Sequence, residues 1–160
     1  MIKVEDMMTR NPHTLLRSHS LADAKHLMEE HDIRHVPVVD TDHKLLGVVT
    51  QRDVLAAQES SLQKIPEEQS HTLTTALEVA MRKNVMTADP NAGLKECATY
   101  MQKHKVGCLP IVSEGHLVGI ITDSDFVMIA IHLLELQEET EPDNNDMADM
   151  DEFDEYDDEL

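Results

Sequence analysis

The chain has 160 residues, enough for one ordinary domain or for two very small ones that share a core. Its formal charge is −19, but the segment 135–160 holds 14 of the 32 acidic residues and no Lys or Arg, so the remainder carries only −5. Neither part offers the basic stripe that a nucleic-acid partner requires, and no apolar run approaches the ~18 residues of a membrane span, so both partners are disfavoured.

The first residues, 1–6, have the character of neither a signal peptide nor a transit peptide. We therefore expect a cytoplasmic protein. The two cysteines, Cys97 and Cys108, stand in unrelated contexts, so no structural disulfide is expected.

The first half of the chain begins with a predicted strand over 13–16. Ser20 followed by Asp23 is a helix-start signature, because each side chain can accept a hydrogen bond from the backbone of the other. The apolar residues that follow recur at helical spacing, which predicts a helix that ends near 31–32.

A β-rich stretch over 33–39 comes next and contains Pro37. Because proline cannot donate to a strand ladder, we expect an edge strand or one that begins only after the proline. The polar loop 40–44 then leads to a partner strand over 45–49, and a second helix is predicted from Val54. The order is strand, helix, strand, strand, helix.

This order of elements occurs twice. Sliding the sequence on itself by 73 positions superposes the two halves, and the shift becomes 72 after a hairpin loop that is one residue shorter in the second copy. Equivalent pairs include Met8 and Met81, Thr14 and Thr87, Met28 and Met101, Pro37 and Pro110, Gly47 and Gly119, Thr50 and Thr122, and Asp53 and Asp125. The pattern predicts two repeats, 1–57 and 76–134, a linker over 58–75, and a disordered acidic tail over 135–160.

The last helix of the second repeat is apolar nearly all round over 126–134. One repeat has too small a core to fold alone, so the two repeats are expected to share one. A homodimer is expected to cover the apolar surface that remains.

Both repeats resemble CBS motifs, the unit first described in cystathionine β-synthase, and the pair resembles a Bateman module. In the first copy the resemblance rests on Met7 and Met8 leading to Pro12 and Thr14, then on 35–39 and 47–53. In the second copy it rests on 81–87, 108–112 and 119–125. The resemblance covers 1–134 and leaves the tail unexplained.

The resemblance implies an α/β fold in which each motif runs β-α-β-β-α and the two motifs pack about a pseudo-twofold axis. Modules of this family often form dimers of pairs. Their clefts commonly bind adenosine-containing ligands such as AMP, ADP, ATP or S-adenosylmethionine. They regulate other proteins and do not catalyse.

The two strand-to-helix junctions carry side chains that suit such a ligand. A carboxylate can accept two hydrogen bonds from a vicinal diol, so Asp53 and Asp125 suit the ribose hydroxyls. The Thr50 and Thr122 hydroxyls, beside free N–H groups at a helix start, suit a phosphate. The other predicted cleft residues are Arg52, the matching His35 and Cys108, the apolar walls Val36, Pro37, Leu109 and Pro110, and the strands at Thr14 and Thr87.

The same junctions could have the structural role of helix capping alone, because Thr-x-x-Asp at a helix start is a capping box. Capping and ligand binding can both hold. The tail likewise has three readings: a solubilising extension, a weak cation sponge, or a segment that binds an effector protein.

The two candidate sites differ in charge. Arg52, with Arg34 and His35 nearby, predicts that the site at 50–53 is the better host for a phosphorylated nucleotide. Asp123 and Ser124 place an acid beside the site at 122–125 instead.

Three classes of function therefore compete. The favoured hypothesis is a regulatory module that binds an adenine nucleotide, needs no cofactor, and passes a change of shape to an effector. A ligand-free oligomerisation scaffold is the alternative. An enzyme is third, because no nucleophile–base pair or metal set recurs with the motif, and the ten histidines are scattered.

Overall fold

The chain forms two three-stranded sheets, and helices connect their strands. A computed structural model describes residues 1–62 and 71–141, and it divides the chain into one unit over 1–125 and another from Phe126 onward. The elements of the first repeat are a 3-10 turn at Val4–Asp6, β1 Thr9–Arg10, β2 Leu15–Leu16, α1 Leu21–His31, β3 His35–Val39, β4 Leu45–Thr50 and α2 Gln51–Leu62. Those of the second are α3 Leu77–Ala80, α4 Leu94–His104, β5 Cys108–Ser113, β6 His116–Thr122 and α5 Asp123–Thr140.

The capping box before α1 is confirmed. Asp23 N–H donates to Ser20 Oγ at 3.2 Å, and Ser20 N–H donates to Asp23 Oδ2 at 2.8 Å. The helix ends at Asp32, whose φ of 52° places it in the left-handed region that closes many helices. Leu21 and Met28 on the buried face of α1 pack into the core, as their spacing predicts.

Proline lies inside a strand in both repeats. The first sheet has the order β2-β3-β4, and β3 begins at His35, so the strand that contains Pro37 is central and starts before the proline. Both alternatives of the prediction, an edge strand and a strand that begins only after Pro37, are wrong. The physical reason is that β2 pairs with Val38 and Val39, so among the residues that the structure describes no strand lies beside Pro37 on that side to need its missing N–H. Pro110 holds the matching place in β5.

The two repeats exchange their first segments, 8–10 and 81–82, which we call the crossing segments. β1 of the first repeat pairs with β6 of the second, Thr9 opposite Ile120, so the second sheet has the order β1-β6-β5. Arg82 of the second repeat in turn bonds β4 of the first, with Arg82 N–H donating to the Val48 carbonyl at 2.9 Å and Val48 N–H donating to Arg82 at 3.0 Å. Each sheet is therefore completed by residues of the other repeat.

The repeated glycines make room for this exchange. A Cβ on Gly47 would lie 2.5 Å from the Arg82 carbonyl oxygen, and one on Gly119 would collide with the Met8 thioether. Since a backbone atom cannot move aside as a side chain can, Gly47 is required for the close approach.

The core of the first repeat lies between α1, α2 and the inner face of the sheet. Its buried members are Leu21, Ala24, Met28, Val36, Val38, Val49, Val54, Ala57 and Leu77. Leu77 comes from the second repeat, which agrees with the predicted sharing of one core. In the second repeat Cys97 and Met101 of α4 are buried, as expected for small and flexible apolar side chains.

The element boundaries differ from the predicted ones at two helices. α2 begins at Gln51, three residues before the predicted start, because Thr50 and Asp53 cap its first turn. It runs to Leu62, into the predicted linker, of which residues 63–70 lie outside the described part of the chain. α5 continues to Thr140, past the predicted boundary at 134, and residues 142–160 of the predicted tail lie outside the described part.

Within the two described stretches, 1–62 and 71–141, no helix combines the length and the apolar character that crossing a membrane requires.

Candidate ligand-binding cleft

A cavity of about 360 Å³ lies where the first residues of repeat one meet the helix start of repeat two. We call it the 122–125 cleft. Its lining residues are Thr9, Arg10, Asn11, Pro12, His13, Asp32, Ile33, Arg34, His35, Ile120, Thr122, Ser124 and Asp125. Such a volume falls in the range of sites for small organic ligands. The exchange of crossing segments creates the cavity, because β1 brings residues 9–13 alongside β6.

The Thr-x-x-Asp motif forms a capping box at this cleft. Thr122 N–H donates to Asp125 Oδ2 at 2.8 Å, and Asp125 N–H donates to Thr122 Oγ1 at 3.3 Å. Within residues 1–62 and 71–141, Asp125 Oδ1 has no hydrogen-bond partner. One carboxylate oxygen thus holds the helix start while the other is available to a hydroxyl donor.

Two arginines line this cleft, Arg10 and Arg34. Arg10 Nη2 donates to the Glu5 carbonyl at 3.1 Å. Arg34 follows α1, and its Nη2 donates to Ser124 Oγ at 3.0 Å and lies 3.4 Å from Asp123 Oδ1. Arg34 is predicted near the site at 50–53, and its backbone does lie there, because the Gln51 N–H donates to the Arg34 carbonyl at 2.9 Å. Its guanidinium, however, extends to the helix start of the other repeat, so the charge belongs to the 122–125 cleft.

His35 also lines this cleft, although its backbone pairs with Thr50 in the sheet. Burial lowers the pKa of His35 below its ordinary 6.5, the Asp123 carboxylate opposes this, and the Arg34 guanidinium adds to it. The imidazole is therefore neutral at pH 7. A Cβ on Gly107 would come within 2.8 Å of His35 Nε2, so Gly107 leaves the space that the ring fills.

The equivalent place in the first repeat, beside residues 50–53, is occupied differently. We call it the 50–53 cleft. Thr50 N–H and Thr50 Oγ1 both donate to Asp53 Oδ2, at 2.8 and 3.0 Å, and Arg82 Nη2 lies 3.4 Å from Asp53 Oδ1. Both oxygens of Asp53 are thus engaged. Asp53 is the less exposed partner of this ion pair, its side chain 17% accessible against 58% for Arg82.

The site residues that the sequence predicts lie in three places: the 122–125 cleft, the 50–53 cleft and the buried core. His35, Thr122 and Asp125 meet at the 122–125 cleft, while Thr50 and Asp53 meet at the other. The predicted apolar walls are buried in the strands, and the apolar lining of the cavity is Pro12, Ile33 and Ile120 instead. The predicted residues outside the lining of the 122–125 cleft are Thr14, Val36, Pro37, Thr50, Arg52, Asp53, Thr87, Cys108, Leu109 and Pro110.

Cys108 has no nucleophilic character. Burial raises the pKa of its thiol to about 12, and the nearby Asp123 carboxylate adds to the effect. A thiol that stays protonated at pH 7 acts as a small apolar side chain.

Sequence reasoning did not include the crossing segment 8–10 or Arg82 among the site residues. The Asn11-Pro12 pair is a turn signal in the sequence, and both residues form part of the cavity wall. The crossing segment 8–10 and Arg82 reach the clefts through strand exchange between the repeats, and no local sequence pattern predicts that exchange. In the described stretches 1–62 and 71–141, no group of three or more His, Cys, Asp or Glu side chains is placed to hold a metal ion.

A family model described as CBS domain matches the chain twice, over residues 4–60 and 76–131. Among solved structures, a Vibrio cholerae protein assigned to acetoin utilization, AcuB, is 66% identical, with a TM-score of 0.74 over 89% of this chain and 99% of that one. CBSX2, solved in complex with AMP, is 29% identical, with a TM-score of 0.70 over 83% of this chain and 98% of that one.

Curated relatives include enzymes. An inosine-5′-monophosphate dehydrogenase of Halalkalibacterium halodurans is 36% identical over 122 residues, which make up 76% of this chain and 23% of that enzyme. The chain thus spans about a quarter of the length of such relatives, and the likeness is confined to their CBS part.

Proposed function

Since the chain belongs to the CBS domain family, we propose that it is a regulatory module that binds an adenosine-containing nucleotide in the 122–125 cleft and signals by changing its own geometry. The observation that carries the proposal is a single cavity lined by both Asp125 and Arg34. A carboxylate that accepts from a diol and a guanidinium that donates to a phosphate match the two polar parts of a nucleotide.

The ribose is assigned to Asp125. Its Oδ2 is held by the Thr122 N–H, which fixes the carboxylate plane, and its Oδ1 has no partner in the described part of the chain. An oxygen that is oriented in advance loses little freedom when it accepts the 2′ or 3′ hydroxyl, so the site is preorganised.

The phosphate is assigned to Arg34 and Ser124. Arg34 already shares its guanidinium with Ser124 Oγ and Asp123 Oδ1, and one group has five N–H donors, so donors remain for a phosphate. The Asp123 carboxylate limits how much negative charge this end can take. We therefore favour a monophosphate such as AMP over ADP, ATP or an uncharged nucleoside, with S-adenosylmethionine as the other ligand class.

The base is assigned to the apolar lining, Pro12, Ile33 and Ile120. A flat heterocycle gains from burial against aliphatic side chains without a stacking ring. The AMP complex of CBSX2, a CBS protein 29% identical to this chain, supports the choice of adenine.

Output through a homodimer is part of the proposal. Val127, Ile131 and Leu134 lie on one face of α5 at spacings of four and three, and their exposed fractions are 60%, 44% and 59%. An exposed aliphatic stripe of this kind suits a second copy of the chain. Ile131→Glu should shift the mass measured by light scattering from dimer to monomer, whereas Gln137→Glu, which adds the same charge at a polar position, should leave it unchanged.

The deciding experiment is a thermal-shift series with AMP, ADP, ATP and S-adenosylmethionine. A ligand at about 100 times its dissociation constant adds about 2.7 kcal/mol to the free energy of unfolding, which raises the midpoint by roughly 5–10 °C for a domain of this size. AMP should give the largest rise, and Asp125→Ala should abolish it. No shift with any of the four would favour the alternative, a ligand-free scaffold.

The process under control is also proposed. The 66% identity with the Vibrio cholerae protein, over 99% of that chain, supports a role in acetoin utilization. A host strain carrying Asp125→Ala should grow more slowly on acetoin than the parent but equally on glucose. Equal growth on both would count against this role.

A further inference from the structure

The two clefts of this chain are unequal for a structural reason that lies at the ribose end. We propose that the Arg82 side chain acts as a built-in occupant of the 50–53 cleft, so that the chain has one working nucleotide site. The inference rests on the proposed function of the 122–125 cleft and concerns its counterpart.

The first observation is that the carboxylates of Asp53 and Asp125 differ in their hydrogen-bond partners. Asp53 Oδ2 accepts two hydrogen bonds from Thr50, and Asp53 Oδ1 faces Arg82 Nη2 at 3.4 Å. Asp125 also uses its Oδ2 for the cap, but its Oδ1 has no partner in the described residues. The atom that would accept a ribose hydroxyl is thus engaged in one repeat and available in the other.

The second observation is that the residues equivalent in the two repeats differ in charge where the crossing segment meets each cleft. Arg82 is the counterpart of Thr9 at a shift of 73, and both lie in crossing segments on the sheet of the opposite repeat. Thr9 is too short and uncharged to pair with a carboxylate, and it lines the open cavity. The charge of Arg82 is therefore the feature that separates the two clefts at this point.

The third observation is that the backbone of Arg82 is fixed. Its backbone exchanges two hydrogen bonds with Val48, at 2.9 and 3.0 Å, and its carbonyl oxygen is the atom that a Cβ on Gly47 would meet. The side chain starts from an anchored backbone and ends on a carboxylate that is only 17% exposed. A nucleotide that used Asp53 would first have to displace this guanidinium.

The phosphate end of the 50–53 cleft keeps a cation. Arg34 has Gly107 as its counterpart, which supplies no charge, but Arg52 stands where Ser124 stands in the other repeat. Freeing Asp53 from Arg82 would therefore leave a carboxylate for ribose and a guanidinium for phosphate. Because a hydrogen bond to a charged group changes an equilibrium about tenfold, Arg82→Thr should tighten nucleotide binding at this cleft by about tenfold.

The test is isothermal titration of AMP into the full chain, compared among wild type, Arg82→Thr and the control Lys83→Thr. Lys83 is exposed and adjacent, so its replacement removes the same charge without touching Asp53. We expect one AMP per chain for wild type and Lys83→Thr, and two for Arg82→Thr. Adding Asp53→Ala to Arg82→Thr should return the number to one.

The outcomes separate this inference from the proposed function. Two AMP in wild type, or one in both wild type and Arg82→Thr, would overturn the inference and leave the 122–125 assignment standing. No binding by either would overturn both. Binding only by Arg82→Thr, lost with Asp53→Ala, would support the inference and overturn the 122–125 assignment. Arg82→Gln, which keeps the length of the side chain, should repeat the result if Arg82→Thr proves unstable.

Discussion

Arg34 Nη2 lies 3.0 Å from Ser124 Oγ although the two residues are separated by 90 positions in the chain. The contact joins the end of α1 in one repeat to the start of α5 in the other, at the rim of the 122–125 cleft. Any phosphate that enters this cleft must share the guanidinium with Ser124 and Asp123. Under the proposed function, the contact would connect ligand binding to the packing of one repeat against the other.

Replacing Arg34 should separate phosphate binding from nucleoside binding. Arg34→Ala should weaken AMP about tenfold or more, because a charge-assisted hydrogen bond is lost, and should leave adenosine affinity nearly unchanged. Isothermal titration of both ligands measures the difference. Arg17→Ala, which removes an exposed arginine outside the cleft lining, is the control. Equal losses for AMP and adenosine would mean that Arg34 does not meet the phosphate.

The two aspartates provide a matched pair of variants. Asp53→Ala and Asp125→Ala each remove the side chain of a capping box, so each should cost about 1 kcal/mol of stability. Only Asp125→Ala should abolish AMP binding, since Asp53 is already paired with Arg82. Chemical denaturation and titration check the two effects. If Asp53→Ala lost more AMP binding than Asp125→Ala, the nucleotide would prefer the site at 50–53, as the sequence alone predicts.

The crossing of the repeats predicts a large cost at Gly47. Gly47→Ala should destabilise the chain by about 1–3 kcal/mol, because its Cβ would overlap the Arg82 carbonyl oxygen, a backbone atom. Gly93→Ala is the control, since the nearest atom there is Met1 Sδ at 3.1 Å, at the end of a flexible side chain. Urea denaturation of both variants decides the point, and similar midpoints would argue against the close approach.

Acid should destabilise the chain through His35. The folded-state pKa of His35 is lowered, mainly by burial, so protons bind the unfolded chain more tightly. Its contribution to stability is present above about pH 6.5 and is lost as the pH falls below that value. Thermal midpoints from about pH 7.5 to about pH 5.5 should fall further for wild type than for His35→Gln. Parallel curves would show that His35 does not cause the decline.

Much of the fold could be predicted from the sequence, because its determinants are local. The Ser20 and Asp23 capping box, the apolar spacing of α1 and the glycine-to-aspartate motif each lie within a few residues. Because the two halves superpose at a shift of 73 residues, each element predicted in the first repeat is also predicted in the second. Family resemblance supplied the ligand class.

The errors have separate physical origins. An edge position for Pro37 is predicted from its missing N–H, but β2 does not extend as far as Pro37, so a central strand tolerates the proline. The Arg34 side chain instead reaches from its own repeat to Ser124 of the other, a contact between repeats like the pairing of β1 with β6 and of Arg82 with β4. Long-range pairing is set by the fit of whole repeats, and no short pattern encodes it.

The crossing segments also determine what half of this chain would be. A fragment ending before residue 76 would keep β4 without the Arg82 backbone that bonds Val48, and a fragment starting there would keep β6 without β1. An unpaired strand edge is a template for another chain. Either half alone would therefore expose a strand edge that the intact chain keeps paired, and association through that edge is the expected failure of a truncated chain.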